Sequence, residues 1–198
     1  MKLSFFDYYL LGANLFGFLL FIVYIFFLAD DEANWCDTLI TIVTFAFGSL
    51  GVLISLCIFG RTPREYRKET MMSRIFIWCM VVIQIVLVLI FKGYIKTQIT
   101  VNIFSFLSEH IGLIIYIVAI NIISLLAYAI DKRNAIERRS RIRISVLLFL
   151  AFAGGSIGAL IAMYAFRHKI NIDYFTVGVP LTLIMQIIVI FYLMNMAL

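Results

Sequence analysis

From Ile111 to Ile130 the chain runs without a single Asp, Glu, Lys, Arg or His, and five other stretches do the same: Tyr8 to Ala29, Thr38 to Gly60, Ile75 to Phe91, Ile144 to Phe166 and Phe175 to Leu198. A helix needs roughly 20 apolar residues to cross the hydrocarbon of a bilayer, so each stretch reads as a membrane span, the third being the shortest. A soluble domain is excluded on the same ground. With 64% hydrophobic and 14% charged residues, too little polar surface remains to cover a water-facing exterior. The expected fold is therefore an all-α integral membrane protein of about six transmembrane helices. Four full spans with shorter or re-entrant segments is the alternative, because short stretches are accommodated by local thinning or partial insertion.

The first span is too long for the apolar core of a signal peptide, and no small-residue cleavage site follows before the acidic run Asp30–Asp31–Glu32, so it is expected to remain as a helix. Three cysteines make no disulfide framework: Cys57 and Cys79 fall in apolar spans and read as small hydrophobes, and Cys36 stands in a loop.

The chain repeats itself. FAGGSIGALIAMYAF (residues 152–166) and FAFGSLGVLISLCIF (residues 45–59) align without a gap, eight positions of fifteen being identical: Phe45/Phe152, Ala46/Ala153, Gly48/Gly155, Ser49/Ser156, Gly51/Gly158, Leu53/Leu160, Ile54/Ile161 and Phe59/Phe166. The same offset of 107 residues pairs Asn14 with Asn121, and a small shift pairs Gln84 with Gln186. Each half is thus one three-span unit. If all three spans cross, the count is odd and the halves insert in opposite directions, giving two inverted three-helix repeats. The expected boundaries are residues 1–92 for the first repeat, 93–110 for an external interfacial connector, and 111–198 for the second repeat. In the connector, Ile95, Ile99, Ile103, Phe106 and Leu107 are spaced as for a helix lying in the outer interface.

Basic residues orient the chain. On six straight crossings, Lys2 and the loops after spans two and four carry most of the 16 Lys and Arg, whereas Lys92, Lys96, Arg167 and Lys169 fall on the opposite side. The positive-inside rule then places both termini and the two basic loops in the cytoplasm, with the chain multi-pass in a bacterial inner membrane. Arg167, His168 and Lys169 read as side chains snorkelling to lipid phosphates.

Polar residues inside the spans need a role. Gly48, Ser49, Gly51, Gly154, Gly155, Ser156 and Gly158 strip bulk from one helical stretch, so that another backbone can approach closely. The other reading of Gly154 and Gly155 is a break that divides span five into half-helices. Asn14, Gln84, Asn121 and Gln186 are costly in hydrocarbon unless bonded, and so face other helices. His110 beside Glu109 and His168 near Asp173 have no nucleophile or metal-ligand spacing around them. No catalytic residue, metal or cofactor is expected.

The two basic loops are RTPREYRKETMMSR and DKRNAIERRSRIR, the second reading as a short amphipathic helix with Ile136, Ile142 and Ile144 among basic residues. Their charge serves topology and anionic lipid, and it also offers a platform for an acidic patch on a cytosolic partner. Arg64, Arg67, Lys68, Arg138, Arg139, Arg141 and Arg143 are the candidate docking residues.

Asp131–Lys132–Arg133, Gly154–Gly155–Ser156–Ile157–Gly158–Ala159, Phe166–Arg167–His168–Lys169, Gly178–Val179–Pro180 and Gln186 resemble a family of short bacterial membrane proteins of unknown function. The chain departs from that pattern at Ser145–Val146, where the family has Pro–Glu, and at Ile170, where it has Thr. As a whole, a degenerate first copy followed by this second copy resembles the KwaA-type membrane subunits of Kiwa anti-phage defence systems. That resemblance implies an inner-membrane homo-oligomer, a tetramer being one form, which senses phage attack at the envelope. It also implies a cytosolic DNA-binding effector, KwaB-like, as partner, contact with membrane lipids, and no direct nucleic-acid binding by the chain itself.

Overall fold

The computed structural model describes residues 4–27, 34–59, 69–95, 99 and 102–196. The docking candidates Arg64, Arg67 and Lys68 lie outside the described residues. The described residues are mostly helical with no strand among them, and six helical segments are long and apolar enough to cross a membrane. In chain order the elements are α1 (Phe5–Phe27), α2 (Asn34–Val43), a bend at Thr44–Gly48, α3 (Ser49–Phe59), α4 (Glu69–Phe91), α5 (Ile103–Glu109), α6 (Ile111–Ile136), α7 (Ile144–Leu150), a bend at Ala151–Gly155, α8 (Ser156–Ala165), α9 (Asp173–Thr176) and α10 (Gly178–Asn195). They form two compact units, Met1–Ile85 and Val86–Leu198, the division along the chain falling within α4.

In the second unit the fifth apolar segment folds back on itself. A straight helix would set Ile142 about 39 Å from His168 at 1.5 Å per residue. Instead both reach one carboxylate: the Ile142 N–H donates to Asp131 Oδ1 at 2.9 Å, and His168 Nε2 lies 2.9 Å from Asp131 Oδ2. The reversal sits at Gly154, whose φ of 128° ends α7 and starts α8. A left-handed residue closes the last helical turn, and glycine takes this conformation without a Cβ penalty.

Pair separations show the directions. Tyr116 bonds Ala153, Asn121 bonds Gly158 and Asp131 bonds His168, each pair 37 residues apart, and a constant separation means that α6 and α8 run parallel in register. α7 runs against α6, since Ile142 meets Asp131 and Leu147 accepts from Tyr128. α10 descends from Phe175, stacked edge-on against Tyr128, to Gln186, which bonds the bend at Ala151 and Phe152.

The first unit obeys the same rule. Tyr9 bonds Ala46 and Asn14 bonds Gly51, again 37 residues apart, so α1 and α3 are parallel. Here the reversal is at Phe47, with φ of 68°, the residue that stands where the second copy has Gly154. A left-handed β-carbon costs about 1–2 kcal/mol. Its core comprises Leu20, Phe21, Ile40, Val43, Val52, Ile77 and Val81, contributed by α1, the two hairpin arms and α4. Segments two and five are thus each bent into a hairpin, and apolar composition is identical for a straight helix and a hairpin.

Candidate docking face and the buried polar clamps

The glycines lie where two backbones touch. A Cβ on Gly158 would stand 2.9 Å from the carbonyl carbon and 3.1 Å from the Cα of Asn121, and closer still to its oxygen; on Gly51 it would run into the backbone of Asn14 in the same way. Gly48, Ser49, Gly51, Gly155, Ser156 and Gly158 are buried, whereas Gly154 at the bend is half-buried. The packing role and the break therefore coexist, on neighbouring residues.

The four amides Asn14, Gln84, Asn121 and Gln186 tie the hairpins down. Asn121 accepts from the Gly158 N–H at 2.7 Å and donates to the carbonyls of Ile117 and Gly154 at 2.8 and 2.9 Å. Asn14 accepts from the Gly51 N–H at 3.0 Å and donates to the Leu10 carbonyl at 2.7 Å. Gln186 accepts from the Ser156 hydroxyl at 2.5 Å and donates to Ala151 at 2.7 Å. Gln84 accepts from the Ser49 hydroxyl and donates to Phe47 at 2.7 Å. Two tyrosines overlooked by the sequence reading complete the pattern: the Tyr9 hydroxyl donates to Ala46 at 3.0 Å and the Tyr116 hydroxyl to Ala153 at 2.5 Å. They stand at the same 107-residue offset as the asparagines, which was the available signal. Carbonyls freed by each bend are thus bonded to side chains, as hydrocarbon requires.

A second clamp closes the open end of the α7–α8 hairpin. Asp131 is fully buried and carries the Ile142 N–H, His168 Nε2 and, at 2.8 Å, Lys169 Nζ. Lys169 also lies 4.4 Å above the Phe175 ring. Burial pushes the Lys169 ammonium below its ordinary value, while the bond to Asp131 works in the opposite direction. His168 and Lys169 are therefore not snorkelling residues, and with Arg167 they sit at the same end of the unit as Lys132–Arg143. The sequence reading stopped span four at Ile130 and left Asp131 in a loop; α6 continues to Ile136.

Beyond that point lies the basic loop. It is not an amphipathic helix: Arg138, at φ of 54°, ends α6. The Arg139 N–H then bonds the Asn134 carbonyl at 2.9 Å, and the Asn134 amide bonds the Ser140 carbonyl at 3.1 Å. Glu137 holds Arg133 at 2.7 Å and Arg139 at 3.0 Å, yet these arginine side chains remain 76% and 71% exposed. Arg138, Arg141 and Arg143 are exposed as well. On the connector, α5 is a seven-residue helix capped by Asn102, whose side chain accepts from the Ser105 N–H at 3.3 Å.

This second unit contains the segment with known relatives. Residues 121–175 match the family described as "Protein of unknown function (DUF1294)". A stretch of 75 residues is 37% identical to the "Uncharacterized protein YsdA" of Bacillus subtilis (strain 168), over 38% of this chain and 84% of that protein. The chain belongs to this family. The matched stretch contains Asn121, Asp131, the whole hairpin, His168 and Lys169, so both clamps of the second unit fall within it except for Gln186 and Tyr116. No solved structure matches the chain.

Proposed function

We propose that the protein is an inner-membrane sensor and scaffold of an anti-phage defence complex, holding a cytosolic DNA-binding effector on its basic face. The observation that carries this reading is the loop after α6. Charge that only orients a chain needs no fixed shape, whereas this loop's backbone is tied by three hydrogen bonds, two of them to the side chains of Asn134 and Asp131, and presents Arg138, Arg139, Arg141 and Arg143 outward. A loop backbone already held in shape suits an acidic protein surface, because little loop ordering remains to be paid on association. The likeness to KwaA-type subunits supports the identity of the partner and a homo-oligomeric state.

A small transporter or channel is the second reading, and it draws on the two broken segments. Its weakness is that the carbonyls at both bends already accept from Tyr9, Gln84, Tyr116, Asn121 and Gln186, leaving an ion to compete with those bonds. Reversing Arg138, Arg139 and Arg141 to Glu tests the scaffold. Lys132, Arg133, Arg143 and Arg167 remain to orient the unit. Normal insertion and assembly together with lost co-purification of the effector and lost plaque reduction is the expected result; retained co-purification at physiological salt refutes the docking loop.

A further inference from the structure

We infer that each unit makes two full crossings and one hairpin that enters from the cytoplasmic face, so that the chain crosses four times and both termini lie outside. The inference is independent of the partner proposed above. It follows from each unit taken by itself.

In the second unit, the register of α6 with α8 puts the end of α6, the start of α7 and the end of α8 at one level, gathered on Asp131. The chain therefore enters the membrane at Ile144, turns at Gly154 and leaves on the side it came from. α10 starts at that same side, with Phe175 against Tyr128, and carries the chain across. At its far end Met196 pairs with Ile95, four residues beyond α4, which places the connector before α6 and the end of α10 together. In the first unit, α1 and α3 are parallel and end on one side, where α4 begins. Each unit then makes two crossings and one hairpin. Two is even, so each unit returns the chain to the side from which it started, whereas three straight crossings would not.

Charge orients each unit without reference to the other. In sequence, the first has Arg61, Arg64, Arg67 and Lys68 between α3 and α4, Arg74 near the start of α4, and Lys2 before α1. The second has Lys132, Arg133, Arg138, Arg139, Arg141, Arg143, Arg167 and Lys169 at its mouth end, against Lys92 just after α4 and Lys96 further along the sequence before α5. Both mouths are cytoplasmic by the positive-inside rule, and the acidic run at residues 30–32 goes with them at little cost, because Asp and Glu weigh little in that rule. The bias is cleaner than on six straight crossings, since Arg167 and Lys169 move to the majority side.

Single-cysteine labelling decides it. In a background with Cys36, Cys57 and Cys79 replaced by Ala, Ser140→Cys, Asn171→Cys and Tyr94→Cys each place a thiol at an exposed position. An impermeant maleimide is applied to intact spheroplasts and to inverted vesicles, normalised to labelling in SDS. Ser140→Cys and Asn171→Cys should label only in inverted vesicles, and Tyr94→Cys only in spheroplasts. A C-terminal epitope tag should be cleavable by protease outside spheroplasts. Opposite sides for Ser140→Cys and Asn171→Cys, a protected tag, or one position labelling from both sides would each overturn the inference.

Discussion

Replacing Gly158 with alanine adds one methyl group where α8 crosses α6, and all three atoms nearest to it belong to the Asn121 backbone. No rotamer change can relieve that contact, so the two helices must separate. Overpacking of this kind costs about 1–3 kcal/mol. Separation also stretches the 2.7 Å bond from the Gly158 N–H to Asn121, and leaving both partners unpaired away from water costs about 1–3 kcal/mol more. The total, about 2–6 kcal/mol, corresponds to a fall of roughly 10 °C in apparent Tm for a chain of this size. The assay is thermal unfolding of the detergent-solubilised protein, followed by fluorescence-detected size exclusion. Gly12→Ala is the internal control: a Cβ there meets nothing within 4 Å, and alanine is the better helix former, so its Tm should be unchanged or slightly higher. If Gly158→Ala melts with Gly12→Ala, the close crossing of α6 and α8 is wrong.

Asp131→Asn removes the carboxylate between His168 and Lys169 and leaves the ammonium buried, an expected loss of about 3–5 kcal/mol by the same thermal assay. Adding Lys169→Met should recover part of that loss, and a fully additive double variant would show that the two residues are not coupled. Gly154→Ala forces a β-carbon into φ of 128° and should cost about 1–3 kcal/mol, read as a lower Tm with unchanged membrane insertion. Binding of the effector to the wild-type basic loop should weaken as sodium chloride rises through about 0.15 M, where the screening length falls below 10 Å; salt-insensitive co-purification would point to an apolar contact elsewhere.

Much of the fold was legible because lipid simplifies the problem: an uncharged run of 20 residues has few structures open to it. The repeat, too, was readable, and the polar residues picked out by it, Asn14, Gln84, Asn121 and Gln186, are the ones that hold the hairpins. The hairpins themselves were hidden. Apolar side chains suit a straight helix and a bent one equally, and Phe47 at the first bend disguises a position whose second copy is Gly154. The number of crossings sets which loops share a side, and it is this count that two hairpins change. The separation of 37 residues between bonding pairs carried the answer, but it becomes visible only when Tyr9, Tyr116, Asp131 and His168 are known to be partnered.

The capped bends also have a meaning for how the chain is made. The α7–α8 hairpin emerges from the ribosome before α10, yet the carbonyls of Ala151 and Phe152 and the hydroxyl of Ser156 are bonded by Gln186, on α10. Until that residue arrives, those groups have only water to turn to, and hydrocarbon offers none. The hairpin is therefore expected to settle into the bilayer together with the last helix rather than ahead of it, and in the first copy α4 brings Gln84 to the earlier hairpin in the same order.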